Sequence, residues 1–487
     1  MLLNKLFKDA PKIDIKNIMV DSRQYKSSSI YFCIKGLIND GHKFIDEAIQ
    51  NGAIAIVYSD PIENFQENIT YIKVDDVNDT VEKCMLLYYY NPSEKMTLFG
   101  VTGTNGKTSV TSIIRSILKD TVKTGYIGTL GIKYNDKSYD PVLTTPTITD
   151  LYRYLDEMRN EKIEACAIEV SSISLQQKRT AGLAFKYAIF TNFTHDHLDF
   201  HRTLDSYFEA KKLLFDGLSE DNIAIVNIDD SRCLDIIKDT KAKIITYGIN
   251  NKADLYAKNI IIEKNYTEFD LVYNDKEYHI RTNLVALFNV YNILASVAAV
   301  LHYGIDIYDV IKKLNSIDSI EGRLEVIDVG QPFNVIIDIA HTPDGIENLM
   351  RFAKSITREK KRIIVVTGSA GKRDTQKRIE FGILANKYCN MAILTEDDPR
   401  DEKVVDICNE IKKGITDINY LIVEIREEAI RQAIELANSD DTILILGKGN
   451  EKFIYREKGK EDYQGDDTIA KQMLLNYGLS KEENDEL

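Results

Sequence analysis

The sequence predicts an α/β protein of three domains, and three observations support that fold class. The chain is 487 residues long, a length that corresponds to about three domains of ordinary size. Strand-like apolar runs alternate with helical patterns over most of the chain, which is typical of parallel sheets covered by helices. A glycine-rich turn at residues 103–106 joins one such strand directly to a helix.

Composition and charge exclude several classes of protein. Hydrophobic residues make up 44% of the chain and charged residues 28%, as in ordinary globular proteins. The net charge is −14 and no basic run stands out, so nucleic acid is not an expected partner. The first residues lack a continuous apolar core, and the most apolar runs are only strand length. We therefore expect a cytoplasmic monomer that does not bind membranes, with six reduced, mostly buried cysteines.

The first part of the chain, residues 1–95, is expected to form a small α/β domain. Short apolar strands are predicted at 30–34, 53–57 and 69–74, and a helix at 45–50. Pro92 follows a helical stretch and disfavours helix at the residue before it, so it marks the first domain boundary.

The glycine-rich turn opens the central unit, residues 96–329, and is the strongest functional signal in the sequence. Its backbone N–H groups and the following helix N-terminus would point at one spot, which suits a chain of phosphates. Lys107 would reach the terminal phosphates and the Thr108 hydroxyl would bind Mg²⁺. Val101 stands where the general P-loop pattern has glycine, so the loop is a tighter variant; a plain turn with a surface lysine is the alternative. The predicted ATP-binding residues of this loop are Gly103, Thr104, Asn105, Gly106, Lys107, Thr108 and Ser109.

The central unit alternates strand and helix, which predicts a P-loop-type ATPase domain with a mostly parallel sheet. The run at 165–170 delivers Glu169, and the run at 187–190 leads into a segment containing three of the seven histidines, at 195, 197 and 201. Ligands lie at the carboxyl ends of such strands, so Glu169 and His197 are candidate Mg²⁺ ligands. A polar loop with helix-capping residues is the alternative. Zinc is disfavoured because neither a thiolate nor a spaced fourth ligand accompanies the histidines.

Residues 330–487 alternate again, with strands predicted at 363–367, 391–394 and 442–446, and this pattern predicts a C-terminal Rossmann-like, doubly wound domain. Its polar loops follow strands and should converge on one edge of the sheet; they cover residues 338–344, 368–374, 397–401 and 447–451. In the central unit, Lys211 lies on an amphipathic helix and, taken alone, is predicted to be a solvated surface lysine.

These motifs together resemble the Mur ligases, ATP-dependent amide-forming enzymes of peptidoglycan precursor synthesis, across essentially the whole chain. The resemblance rests on the phosphate loop, Glu-Val-Ser-Ser at 169–172, Asp-His-Leu-Asp at 196–199, Asn289 with Asn292, Gly322-Arg323, and Asp338 with His341. Val-Asp-Ser-Arg at 20–23, Thr-Thr-Pro at 144–146, Asp-Asp-Pro-Arg at 397–400 and Gly-Lys-Gly-Asn-Glu at 447–451 narrow it to the members that add diaminopimelate.

The resemblance implies that meso-diaminopimelate is joined to UDP-MurNAc-L-Ala-D-Glu through an acyl phosphate. It assigns catalysis to Lys107, Lys211, Glu169 and His197, with Lys211 carried as N6-carboxylysine, an additional Mg²⁺ ligand. It adds Asn289, Arg323 and Asp338 to the ATP site. It implies contacts with the UDP-sugar peptide from Ser22, Thr144, Thr145, Ser171, Gln177 and Arg179. It implies contacts with the incoming amino acid from Arg373, Asp397, Asp398, Pro399, Arg400, Gly447 and Glu451.

Three positions depart from the usual pattern of the family. Ile173 stands where histidine usually follows the two serines, Asn450 replaces the histidine of Gly-His-Glu, and Asp398 replaces the asparagine of Asp-Asn-Pro-Arg. A second carboxylate near Arg400 adds negative charge and leaves L-lysine or another diamino acid open as substrate. A paralogue with a different acyl or amino-acid substrate is also open.

Two further alternatives are disfavoured by the sequence. Folylpolyglutamate synthase shares the ATP loop and the acyl-phosphate route, but the N-terminal sugar-nucleotide module and the Asp-Pro-Arg loop have no place in it. A non-catalytic nucleotide-binding protein would be expected to lack Lys107, Glu169 or His197, and all three are present.

Overall fold

In a computed structural model the chain forms three α/β units in series. The structure describes residues 1–36, 39–140 and 143–485, with side chains up to residue 476. The first unit is a four-stranded parallel sheet in the order β1-β2-β3-β4. Its strands are β1 Asn17–Met19, β2 Ser29–Phe32, β3 Ala53–Tyr58 and β4 Thr70–Lys73. Its helices are α1 Leu3–Leu6, α2 Ile45–Gln50 and α3 Val77–Tyr88, with 3₁₀ turns at Gly41–Phe44 and Pro92–Lys95.

The central unit is built on an 11-stranded sheet in the order β15-β14-β13-β12-β11-β10-β5-β9-β6-β7-β8. The middle of the sheet, from β13 to β6, is parallel, as predicted. Both edges are antiparallel, which the sequence did not predict. Its strands are β5 Thr97–Thr102, β6 Thr124–Gly128, β7 Gly131–Tyr134, β8 Lys137–Tyr139, β9 Ala165–Glu169, β10 Phe185–Phe190, β11 Ile223–Asn227, β12 Lys243–Gly248, β13 Leu255–Ile262, β14 Thr267–Tyr273 and β15 Lys276–Thr282. Its helices are α4 Lys107–Leu118, α5 Ile148–Asn160, α6 Ser172–Gln176, α7 Leu198–His201, α8 Leu204–Asp216, α9 Cys233–Ile236, α10 Leu287–Tyr303 and α11 Ile307–Leu314.

The third unit is a six-stranded sheet in the order β16-β17-β21-β18-β19-β20, with helices alternating between its strands. Its strands are β16 Glu325–Ile327, β17 Asn334–Asp338, β18 Ile363–Thr367, β19 Met391–Leu394, β20 Asn419–Ile422 and β21 Thr442–Leu446, followed by the hairpin β22 Phe453–Arg456 and β23 Gly459–Asp462. Its helices are α12 Pro343–Ile356, α13 Gln376–Tyr388, α14 Val404–Lys412, α15 Arg426–Leu436 and α16 Asp466–Asp485. Because β16 pairs with β17, this unit begins before the predicted residue 330.

The packing of α4 fixes the position of the phosphate loop. Strand β5 is buried, and its end leads through the loop into α4, whose Val110, Ile113, Ile114 and Ile117 are at most 1% exposed. Helix α10 is apolar on nearly every face and packs against α4, as a helix in a domain interior must. Each fully buried side chain of this size contributes about 1.5–3 kcal/mol. The loop therefore stands on a rigid strand and helix.

Two sequence-level expectations concern the chain as a whole. All six cysteines are free and buried, as predicted. Among the described helices, none combines the length and apolar character that a membrane crossing requires.

A buried ion pair holds the end of the third unit together. The guanidinium of Arg426 on α15 donates from two nitrogens to the carboxylate of Asp466 on α16, each at 2.7 Å. Both side chains are 0% exposed, and Arg426 also donates to the carbonyls of Glu396 and Leu446. Asp466 in turn accepts from the Gly449 N–H, so the pair also supports the loop at 447–451.

We expect Arg426→Met to lower the free energy of unfolding by about 3–5 kcal/mol, because it leaves the buried Asp466 carboxylate unpaired. Urea denaturation followed by circular dichroism would measure the loss. The matched control is Arg431→Met on the same helix, where the arginine is exposed and pairs with Glu428 and Glu435, so its loss should be much smaller. Equal losses for the two variants would contradict this account.

Candidate active site

The phosphate loop connects β5 to α4 through two glycines in left-handed conformations. Gly106 has a φ of 87°, and a Cβ there would lie 2.5 Å from the Asn292 side-chain oxygen, so only glycine fits. Lys107 begins α4, and its Nζ donates to the carbonyls of Gly103 at 2.9 Å and Thr104 at 2.8 Å. Burial lowers the pKa of Lys107, although Glu169 and Asp196 oppose that shift. The lysine is thus folded over the loop, on the side where phosphates would bind.

Glu169 and Thr108 are in direct contact beside this loop. The Thr108 hydroxyl donates to Glu169 Oε2 at 2.9 Å, and the two residues are 4% and 1% exposed. Tyr126 and the Thr129 N–H donate to the other carboxylate oxygen at 2.6 Å and 2.9 Å. Arg323 donates to the Thr108 hydroxyl at 2.8 Å. These contacts place a hydroxyl and a carboxylate oxygen side by side, a donor set that suits Mg²⁺.

The interpretation of Lys211 as a solvated lysine is wrong, because α8 turns this side chain toward the phosphate loop. Lys211 is 1% exposed, and its Nζ donates to the Gly103 carbonyl at 2.8 Å. Burial lowers the pKa of Lys211 well below its ordinary value, and the positive charge of Lys107 adds to that shift. The Tyr207 ring lies 4.3 Å from the Lys211 nitrogen.

Sequence reasoning missed Tyr207 as part of this site. Its hydroxyl lies 3.2 Å from the Thr104 hydroxyl, within hydrogen-bond distance. Tyr207 stands four residues before Lys211, so the two side chains share one face of α8. This four-residue spacing from Lys211 was the sequence signal that could have identified Tyr207 as a site residue.

The histidine segment follows β10 and lies beside the same loop, with Asp196 and His201 buried and the His197 side chain 35% exposed. His197 has a φ of 54°, and its Nε2 lies 3.3 Å from Asp196 Oδ2. Burial lowers the pKa of His197 to about 4, while Asp196 opposes that shift. Burial alone would raise the pKa of Asp196, but His197, His341 and Lys377 lower it below its ordinary value. The described contacts of His197 are with Asp196 and Tyr207, and none joins it to Glu169.

The predicted nucleotide contacts lie around the base of the loop. Asn292 donates to the side-chain oxygen of Asn289 at 3.0 Å, and Asn289 donates to the Val285 carbonyl at 2.8 Å. Asp338 accepts from the backbone N–H groups of Leu324 and Ala340, each at 2.7 Å, so it fixes the turn that follows Arg323. Burial raises the pKa of Asp338.

The third unit contacts the phosphate loop and the histidine segment directly. The Asn105 side chain donates to Asp344 at 2.7 Å and accepts from the Thr342 hydroxyl at 3.2 Å. Across the same seam, Arg373 donates to Asp199 at 3.0 Å, and His195 Nε2 lies 2.7 Å from Asp374 Oδ2.

A cleft of about 380 Å³ lies along this seam and brings two of the predicted residue sets together. From the set assigned to the UDP-sugar peptide it is lined by Thr144, Thr145, Ser171 and Arg179. From the set assigned to the amino acid it is lined by Arg373, Asp397, Asp398, Arg400, Gly447 and Glu451. His197 and Ile173 also line it. Ser22 and Gln177 do not: Ser22 donates to Glu47 in the first unit, and Gln177 accepts from Arg179 at 2.6 Å.

Asp398, which the sequence predicts to add negative charge near Arg400, forms an ion pair with a lysine in the structure. Asp398 Oδ1 accepts from Lys448 Nζ at 3.0 Å and from the Tyr455 N–H at 3.0 Å. Arg400 donates from one terminal nitrogen to the Gly371 carbonyl at 2.7 Å and, more weakly, to the Asp398 backbone carbonyl at 3.4 Å. The negative charge of Asp398 is therefore offset by Lys448, a buried lysine that was not among the predicted site residues.

Family models match three segments of the chain. The Mur ligase middle domain matches residues 101–300, the Mur ligase glutamate ligase domain matches 322–449, and the Mur ligase family catalytic domain matches 14–89. UDP-N-acetylmuramoyl-L-alanyl-D-glutamate–2,6-diaminopimelate ligase 1 of Clostridium acetobutylicum is 40% identical over 91% of either chain. The corresponding ligase of Halalkalibacterium halodurans is 37% identical over 95% of this chain and 94% of its own.

Solved structures of other proteins share the fold of this chain. A structure of UDP-N-acetylmuramoyl-L-alanyl-D-glutamate–2,6-diaminopimelate ligase superposes with a TM-score of 0.68 and 26% identity, covering 98% of this chain and 99% of that one. Folylpolyglutamate synthase of Mycobacterium tuberculosis, complexed with ADP and AMPPCP, has a TM-score of 0.62 at 16% identity. It covers 76% of this chain and 92% of its own, and shares the fold alone.

The buried His201 should make stability depend on pH. Its Nε2 lies 2.9 Å from the Ser172 hydroxyl, and burial lowers its pKa to about 4. The unfolded chain, with the ordinary value of about 6.5, binds a proton before the folded chain does as pH falls. We therefore expect this residue to reduce stability progressively between pH 6.5 and 4.

The test is the urea midpoint at several pH values for the wild type and for His201→Asn, which cannot titrate there. The variant should show a shallower loss of stability on acidification, and NMR titration of the wild-type ring should give a midpoint well below 6.5. Identical pH slopes for the two proteins would refute the expectation.

Proposed function

This chain belongs to the Mur ligase family, and on that premise we propose that it adds meso-diaminopimelate to UDP-MurNAc-L-Ala-D-Glu at the expense of ATP. The observation that carries the proposal is the cleft between the central and third units. Residues that the family resemblance assigns to the acyl substrate and to the amino acid both line this cleft, and Asn105 of the phosphate loop contacts Asp344 of the third unit; these observations support the proposal. The relatives named for this reaction align over nine-tenths of the chain.

The reaction proceeds in two steps. A carboxylate oxygen of the D-glutamyl residue attacks the γ-phosphorus of ATP, giving an acyl phosphate and ADP. The amine then attacks the acyl carbon, its proton is lost, and inorganic phosphate leaves with the formation of the amide. Charge on the transferring phosphoryl group would be stabilised by the half-buried Lys107 ammonium and the loop N–H groups.

The oxygen donors beside the loop fit Mg²⁺. Thr108 and Glu169 would hold the ion through the paired hydroxyl and carboxylate oxygens, 2.9 Å apart and screened from solvent. His197 is a further proposed ligand from the neighbouring strand end. When bound, Mg²⁺ supplies positive charge against the phosphates. Glu169 is held in one orientation by Tyr126 and Thr129, so its free energy of reorganisation on binding an ion is small.

Lys211 is suited to become a carbamate. Only a neutral amine attacks CO₂, and burial beside Lys107 lowers the pKa of Lys211 toward that form. The new N–C bond forms as the amine loses a proton, so the side chain becomes an anion. The resulting anion would lie beside the Lys107 cation, which attracts it, and would provide a carboxylate for a second Mg²⁺.

The amino-acid side of the cleft favours diaminopimelate over L-lysine. Within the described part of the chain the Arg400 guanidinium donates from only one of its nitrogens, so its remaining N–H groups are available for a substrate carboxylate. Glu451 offers a carboxylate to an ammonium. Diaminopimelate carries both groups at its far end, whereas lysine carries only the ammonium.

We propose that the protein acts as a monomer in the cytoplasm.

The test of the function is phosphate release from ATP by the purified protein with UDP-MurNAc-L-Ala-D-Glu and one amino acid at a time. We expect turnover with meso-diaminopimelate and little with L-lysine. Lys107→Met should lower kcat by about 10²-fold or more, because it removes charge at the phosphoryl group. Lys119→Met, beyond the other end of the same helix, is the control and should be near wild type. If no diamino acid supports phosphate release, the proposal is overturned, and a paralogue with a different acyl or amino-acid substrate is favoured.

The carbamate is tested separately by ¹³C NMR of the protein in ¹³C-bicarbonate. A carbamate resonance should be present in the wild type and absent in Lys211→Met. The matched control is Lys212→Met: the Lys212 nitrogen lies 2.6 Å from Asp216 and 2.5 Å from Asp239, and these carboxylates raise its pKa against the effect of burial, so it stays protonated. A resonance that survives Lys211→Met would assign the modification elsewhere.

A further inference from the structure

Lys448 lies behind the amino-acid side of the cleft, and the mechanism above does not use it. Its side chain is 0% exposed, although it belongs to a loop. The neighbouring Gly447 and Gly449 have φ values of 118° and 53°, conformations that glycine adopts freely. A Cβ at position 447 would lie 2.9 Å from Asp397 Oδ2. The backbone thus turns tightly on both sides of Lys448, with the lysine pointing inward.

The ammonium of Lys448 is shared between two carboxylates of the cleft. Its Nζ lies 3.0 Å from Asp398 Oδ1 and 2.5 Å from Glu451 Oε2. Those carboxylates are 17% and 29% exposed, so they face the cleft while the lysine does not. Burial opposes the charge of Lys448, but Asp397, Glu451 and Asp398 together raise its pKa, so it remains a cation.

The charges of this cluster match one end of a particular substrate. Asp397, Asp398 and Glu451 each carry a negative charge and Lys448 carries the one positive charge set against them, so the lysine lowers the net negative charge around the place for the ammonium. Arg400 lies next to it for a carboxylate. Removing the lysine would leave these carboxylates without the cation they share, and their negative charge would repel the substrate carboxylate.

We propose that Lys448 is a specificity-determining residue that makes the cleft accept an amino acid with a carboxylate beside its distal ammonium. The positive charge of Lys448 offsets the negative charge of Asp398, and its ion pair with Glu451 fixes the position of that carboxylate. Lys448 itself does not contact the substrate. This inference rests on the proposed function, because it assumes that the cleft binds a diamino acid.

The experiment measures kcat/KM for meso-diaminopimelate and for L-lysine with the full-length protein, in the phosphate-release assay. The variants are Lys448→Met, Asp398→Asn and the double variant. We expect Lys448→Met to lower the ratio of the two kcat/KM values by about tenfold or more, with KM for ATP within about twofold of wild type. A tenfold change corresponds to about 1.4 kcal/mol. The double variant should regain most of the wild-type ratio, because it removes the uncompensated carboxylate together with the lysine.

The control is Lys452→Met, an exposed lysine of the same segment that pairs with Asp467, and it should leave the ratio unchanged. An unchanged ratio in folded Lys448→Met would overturn the proposal. So would a double variant as impaired in the ratio as Lys448→Met. If Lys448→Met does not fold, the double variant decides: a wild-type ratio supports the proposal and a lost preference overturns it.

Failure of the proposed function would be seen separately. It would appear as no turnover by the wild-type protein with any diamino acid, whereas failure of the Lys448 proposal leaves wild-type turnover intact.

Discussion

Two lysines, the half-buried Lys107 and the buried Lys211, share one backbone carbonyl, and the phosphate loop is arranged around that contact. Lys107 from α4 and Lys211 from α8 both donate to the Gly103 oxygen, at 2.9 Å and 2.8 Å. Burial lowers the pKa of both lysines, and the positive charge of Lys107 adds to the shift of Lys211, so the surroundings of the loop favour an anion. Phosphate and a carbamate are anions of that kind. The packing of α4 against α10 and of α8 against the sheet maintains the geometry against the repulsion.

The third unit packs against that loop and supplies the other side of the candidate site. Asn105 reaches Thr342 and Asp344, and the histidine segment reaches Arg373 and Asp374, so the seam is joined by side chains from both partners. Substrates that must react with each other would therefore meet where the two units meet. The buried pair of Arg426 and Asp466 supports the far wall, because Asp466 also holds the backbone of Gly449. Stability and recognition thus depend on the same residues in this part of the molecule.

The regular interior of the fold was predictable, and its edges were not. The strands Ile363–Thr367, Met391–Leu394 and Thr442–Leu446 and the helix Ile45–Gln50 have the predicted limits, because continuous apolar runs or a clear helical period mark them. The antiparallel strands between residues 255 and 282 went unpredicted. Thr267–Tyr273 and Lys276–Thr282 alternate between more and less buried side chains, and this period of two was the sequence signal that could have identified them as strands, whereas their antiparallel pairing is set by the neighbouring strands. The third unit begins with the strand Glu325–Ile327, earlier than the predicted residue 330. This strand has only three residues, so it shows no clear pattern in the sequence and is identified by its pairing with β17.

The sequence by itself determined the phosphate loop, the strand ends that carry Glu169 and His197, and the polar loops of the third unit. These are local features, since spacing within a few residues decides which face or turn a side chain occupies. Only the tertiary structure decided that Lys211 is buried against Gly103 and that Asp398 is compensated by Lys448, 50 residues away. A side chain's charge state and free hydrogen-bonding groups depend on neighbours that the fold brings from elsewhere in the chain. Periodicity and motif spacing contain no information about those distances.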